Sequence, residues 1–190
     1  MPPSTTRIED PRHFLDLAFG YYMTGRFAVI NRLHVAPNLM HHAVELLIKF
    51  TLLKHEPESQ PSAATAQLAQ RYGHRLNALW IRYKQHVAPT DLSRFDQVIA
   101  DLARWEDVRY GGFPAGTSVA KSMGLVRAPA QTSRPTDLYV FGLQEVDDLI
   151  TAMFQASRIN PPFVGNRYAH TALREWYERD NQHIMRNLFG

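Results

Sequence analysis

The chain has 190 residues, 45% of them apolar and 21% charged, with 21 Lys plus Arg against 18 Asp plus Glu and no cysteine. An apolar share of that size lets one domain bury a core without staples, and the lack of thiols excludes disulfide frameworks, zinc thiolate sites and cysteine nucleophiles. A net charge of +3 is too small to imply a polyanion-binding surface by itself, and no apolar run approaches the roughly 20 residues of a membrane span, so the expectation is a soluble, cytoplasmic chain that does not enter a membrane.

Residues 1–9 read as a disordered leader and 10–190 as a single helical domain. Asp10 before Pro11 is a helix start, and Phe14, Leu17, Ala18, Tyr21, Ala28 and Leu33 keep a helical spacing that predicts a helix closing near His34, weakened at Gly20 and Gly25. Pro37 opens a second helix, in which Met40, Ala43, Val44, Leu46, Leu47, Phe50 and Leu53 cover more than half the circumference. A stripe that wide marks a central helix packed by several neighbours. After the loop EPESQPS, an alanine-rich stretch over 63–70 predicts a short helix. Leu76, Leu79, Trp80 and Tyr83 then share one helix face, stopped by Pro89. Thr90 or Asp91 caps the next helix, with Leu92, Phe95, Ile99 and Leu102 as its stripe, ending near Trp105.

From Tyr110 to Pro135 the glycines and prolines forbid a continuous helix, and a connection this long suggests function or disorder. Within it and just beyond, GLVRA and LYVF predict a small hairpin-like ribbon. A helix over 144–158, a break at INPPFVG and a last helix over 166–188 complete the chain. The expected fold is all-α, a bundle of about five to six helices with one long Gly/Pro-rich loop.

Charge is less even than its sum. No acid lies between Glu58 and Asp91, where Arg71, Arg75, Arg82 and Lys84 stand, and none lies from Val108 to Thr136, which carries Arg109, Lys121 and Arg127. These cations are the candidate nucleic-acid or phosphate contacts. AGTSVAKS does not meet the P-loop pattern, since alanines occupy both glycine positions counted back from Lys121. What remains is a glycine-rich, acid-free loop that can clamp phosphate. No G-x-S-x-G is present for a serine hydrolase.

His41, His42 and Glu45 sit at spacings that can converge on one helix face, but no comparable set appears elsewhere, and Glu45 with Lys49 is the favourable i, i+4 ion-pair orientation. The reading taken is a structural polar network of His41, His42, Glu45 and Lys49 reaching toward His74, with no metal and no cofactor.

The segments HHAVELLIKF and YGHRLNALW, followed by VRYGGFP, resemble the HEPN superfamily of helical bundles over roughly residues 12–115. The resemblance implies a bundle of about five helices that often dimerises and acts in RNA cleavage, nucleotide binding or toxin and antitoxin systems. It implies a homodimer here, an RNA or nucleotide ligand and an antitoxin-type protein partner. Ribonuclease members carry Arg and His separated by four to six intervening residues in the last helix. This chain departs from that pattern, and Arg179 and His183, which share a helix face, are its candidate catalytic pair: His183 for proton transfer and Arg179 for the scissile phosphate. Three readings stay open: a binding protein, a divergent metal-independent endoribonuclease, and an inert interaction module.

Overall fold

The computed structural model describes residues 10–54, 68, 70, 73–109, 120–126 and 138–159. Their elements are α1 (Arg12–Ile30), α2 (Ala36–Leu53), α3 (Leu76–His86), a 3-10 turn (Ser93–Phe95) leading into α4 (Asp96–Arg109), β1 (Ala120–Gly124), β2 (Leu138–Gly142) and α5 (Leu143–Ala156). The all-α expectation holds: a helical bundle with one two-stranded ribbon among the described residues. None of the described helices is long and apolar enough to cross a membrane. Of the short helix expected over 63–70, Leu68 and Gln70 are described, and both are helical. The expected leader and last helix lie outside the described residues.

α2 is the centre of the bundle, as its wide stripe predicts. Fourteen of its eighteen residues are buried, and it packs against α1, α3, α4 and α5. α1 runs beside it, and at Gly25 the packing is tight: a Cβ there would stand 3.0–3.3 Å from the Met40 side chain, which is fully buried. The expected weak point is therefore a packing notch.

Two expectations for α1 are corrected. Leu17, Tyr21 and Leu33 are exposed, while the neighbouring stripe Leu15, Phe19, Tyr22, Met23, Arg26 and Val29 is buried. Apolar residues cover more than one face of this helix, and a charged residue in the inward stripe disguised which face is enclosed. The Arg26 guanidinium pairs with Asp147 of α5 and donates to the Tyr22 hydroxyl, which in turn donates to the same carboxylate at 2.5 Å.

The helix also stops at Ile30 rather than near His34. Arg32 takes φ 55°, its N–H donates to the Val29 carbonyl and the Leu33 N–H to that of Ala28, which is a Schellman closure. α5 ends in the same way, with Arg158 at φ 52° and Ile159 N–H on Phe154 O. Glycine usually fills such positions, so neither sequence end carries the expected signal.

The ribbon differs from the predicted hairpin. Its first strand is AKSMG, ending one residue before the exposed Leu125 and Val126, and it pairs with β2 in parallel, Ala120 with Leu138 through Gly124 with Gly142. Residues 125–137 exceed the dozen or so that a parallel return requires. β2 is held against α4, where the buried Trp105 indole donates to the Val140 carbonyl at 3.2 Å and packs edge-on to Tyr139.

The ends of α2 and α5 meet α3 in a knot of hydroxyls. Tyr83 Oη lies 2.8 Å from Ser157 Oγ and donates to the Met153 carbonyl at 3.1 Å, while Thr51 Oγ1 reaches Ser157 Oγ at 2.9 Å. Burial pushes the phenol up to about 12, and the Ser157 hydrogen bond offsets only part of that rise. The folded state thus holds this proton more tightly than the unfolded chain, whose phenol titrates near 10. Its contribution is complete below about pH 10 and disappears between pH 10 and 12, a span worth roughly 2–3 kcal/mol. In urea unfolding followed across pH 9 to 12, Tyr83→Phe is expected to be less stable at neutral pH by about 1 kcal/mol and to lose less on the alkaline side than the parent chain.

Candidate functional site

Two places gather chemically active side chains. The first is a polar hub around Glu45, built because α2 sets His41, His42, Glu45 and Lys49 along one face over a little more than two turns and the chain returns with His74 just before α3. The Lys49 ammonium donates to Glu45 Oε1 at 2.5 Å, and His74 Nδ1 stands 3.1 Å from both carboxylate oxygens. His41 Nε2 lies 3.6 Å and His42 Nδ1 3.8 Å from Glu45 Oε2. From α4, Glu106 Oε2 comes within 4.0 Å of His41 Nε2. The rings of His41, His42 and His74 follow one another edge to face, and Tyr21 lies against His42.

Exposure grades outward across the hub. His41 is 1% and Glu45 2% exposed, whereas the His74 side chain is 69% exposed. His41 Nδ1 faces the Leu102 carbonyl at 3.1 Å. A carbonyl only accepts, so Nδ1 carries the proton and Nε2 is the nitrogen turned toward the carboxylates. Burial works to raise the Glu45 pKa, but His41, His42 and Lys49 outweigh it and hold the carboxyl far below the usual carboxylate range. For His41, burial works against charge, and Glu45, the Leu102 carbonyl and Glu106 together overcome it, so the imidazole sits above its ordinary value.

The second place is a cleft of about 570 Å³ between the end of α1 and the end of β1, lined by Val29, Ile30, Arg32, His34, Met123, Gly124 and Leu125. Its volume falls in the range of small-molecule sites. One wall comes from the acid-free stretch, and the other brings two side chains able to carry positive charge.

All five residues of the expected polar network are thus brought together. Among the expected phosphate contacts, Arg75 and Arg82 are exposed along α3. Lys84 is ion-paired: its ammonium binds both oxygens of Asp96 at 2.7 and 2.9 Å, and the Trp80 indole donates to the same carboxylate at 2.6 Å. The stretch lacks acids in sequence, but Asp96, the first residue of α4, returns one to it in space. Arg109 is the last residue of α4 and Lys121 the second of β1. Arg71, Arg127, Arg179 and His183 lie outside the described residues. Sequence reasoning missed Glu106, Arg32 and His34. Glu106 follows Leu102 by one turn of the α4 stripe, a spacing that places a carboxylate beside the buried face. Arg32 and His34 lie in a connection, where periodicity carries no information. No family model, curated protein or solved structure matches the chain.

Proposed function

We propose that the chain is a HEPN-like helical bundle that binds nucleic acid or nucleotide phosphate at the cleft between α1 and β1 and works as a homodimer in a toxin and antitoxin type of system. The observation that carries the binding reading is the cleft itself: Arg32 and His34 face Met123, Gly124 and Leu125, which belong to a stretch without acids. A phosphate there meets a forked guanidinium and an imidazole above an apolar floor that suits a base or ribose. The HEPN-like reading draws support from the hub, since the residues of HHAVELLIKF and YGHRL that carry the resemblance converge on Glu45.

Arg32 supplies a test that separates binding from folding. Arg32→Gly removes the cation and at the same time suits the positive φ, so the variant is expected to be as stable as the parent or more so by roughly 0.5–1 kcal/mol. Its affinity for a fluorescent nucleoside triphosphate and for a short single-stranded RNA is expected to fall about tenfold, with the slope of log affinity against log salt reduced by about one unit for RNA. Unchanged affinity and slope in the folded variant would remove the cleft from the reading. Metal-free RNA cleavage by the parent that vanishes in His183→Ala would favour the endoribonuclease, and absence of any salt-dependent binding leaves the interaction module.

A further inference from the structure

The hub contains a geometric mismatch that its own residues do not resolve. His41 Nε2 is buried, has no hydrogen-bond partner, and points between two carboxylate oxygens at 3.6 and 4.0 Å. These separations are too long for hydrogen bonds. The orientation is nevertheless fixed, because Nδ1 is engaged by the Leu102 carbonyl. An imidazole whose second nitrogen donates to a backbone carbonyl is the usual arrangement of a metal-ligating histidine. His42 Nδ1 adds a third donor 3.8 Å from the same Glu45 oxygen, and the donor atoms of His41, His42 and Glu45 all lie within 4.8 Å of one another.

The spacing has a simple reading. Ligands at metal distances of 2.0–2.2 Å in tetrahedral geometry stand about 3.4 Å apart. The hub separations exceed that by a few tenths of an ångström at the Glu45 oxygen and by more elsewhere, so modest inward rotation of the rings brings them to it. Lys49 takes Oε1, and His74 Nδ1 lies 3.1 Å from both oxygens, so Oε2, which has two lone pairs, turns toward His41 and His42 with one lone pair left for the ion. We propose that His41 Nε2, His42 Nδ1 and Glu45 Oε2, joined by Glu106 from α4, form a binding site for one divalent transition-metal ion of the zinc class. Two imidazoles and carboxylate oxygen are the donor set such ions take.

This departs from the sequence expectation of no metal, which saw only the three donors of α2. The fourth comes from α4, more than sixty positions away in sequence, together with the carbonyl that orients His41. The ion bridges α2 and α4 beside His74, which precedes α3, and the site stands independently of the phosphate reading at the cleft.

The experiment uses the full chain after chelator treatment, titrated with Co²⁺ alone and then with Zn²⁺. Expected is a visible d–d absorption band that saturates at one equivalent of Co²⁺ and is displaced by Zn²⁺. His42 is chosen for substitution because it is only partly enclosed: His42→Gln is expected to keep the helical circular dichroism and to lose the band or weaken Co²⁺ binding at least about tenfold. His34→Gln, which changes an exposed histidine outside the hub, is expected to leave it intact. Absence of one-equivalent binding in the parent chain overturns the proposal, and so does a band that survives unchanged in folded His42→Gln.

Discussion

Replacing Arg26 with alanine is expected to destabilise the fold by roughly 3–5 kcal/mol, the cost of leaving a buried carboxylate without its counter-charge. Both partners of the Arg26–Asp147 pair are enclosed, with side chains 3% and 1% exposed, so neither can turn to water when the other is removed. The Tyr22 hydroxyl continues to donate to Asp147 in the variant, but one neutral hydrogen bond does not offset the desolvation of a full charge. The result to compare is the double variant Arg26→Met with Asp147→Leu. Removing both charges and keeping the volume is expected to restore most of the lost stability. Urea unfolding of the two single variants and the double one decides the matter. If Arg26→Ala shifts stability by less than about 1 kcal/mol, the pair does not hold α1 to α5.

The second large effect is expected at Glu45. Glu45→Ala removes the acceptor shared by Lys49, His41, His42 and His74, and the same argument for a broken buried pair applies. The outcome is nevertheless expected at the lower end, about 3 kcal/mol. Lys49 is partly exposed and His74 largely so, and both can reach solvent. His41 has no such route, but it can shed its charge. Glu45→Gln keeps the shape and one acceptor, and is expected to cost less than the alanine variant. Equal losses for alanine and glutamine would mean that charge, rather than the acceptor geometry, holds the hub together. Either substitution scored against Arg26→Ala in the same denaturant tests the ordering predicted from exposure.

What could be read in the sequence and what could not divide along physical lines. The central position of α2 was legible because burial on nearly all sides leaves an apolar pattern that needs no partner to interpret. The hub was legible for the same reason: His41, His42, Glu45 and Lys49 are neighbours on one helix, and spacing alone brings them together. Glu106, Asp147 and Asp96 were not, since each acts on a residue from a different helix or turn, and nothing local encodes the meeting. Asp96 shows the cost most directly. It sits five positions beyond Asp91, the acid that ends the stretch, and pairs with Lys84 within it. The end of α1 was misplaced because an arginine stands where glycine normally marks the stop. The strands are five residues each, too short for alternation to distinguish direction of pairing. Arg179 and His183 lie outside the described residues.

The pairing of α1 with α2 and the Tyr22–Asp147 bond differ in how much chain each must gather. Residues 31–35 alone join α1 to α2, so these helices meet by closing a short loop. Tyr22 and Asp147 are 125 positions apart. Loop entropy grows only with the logarithm of length, but contacts between remote segments are the slow ones to find. α5 therefore arrives at a hairpin whose core face already exists, and it carries a carboxylate that is tolerable there only in one register, opposite Arg26. The buried charge pair acts as a proofreading element for docking: a helix shifted by a turn would bury Asp147 away from Arg26, and a contact that spans more than a hundred positions is also a discriminating one.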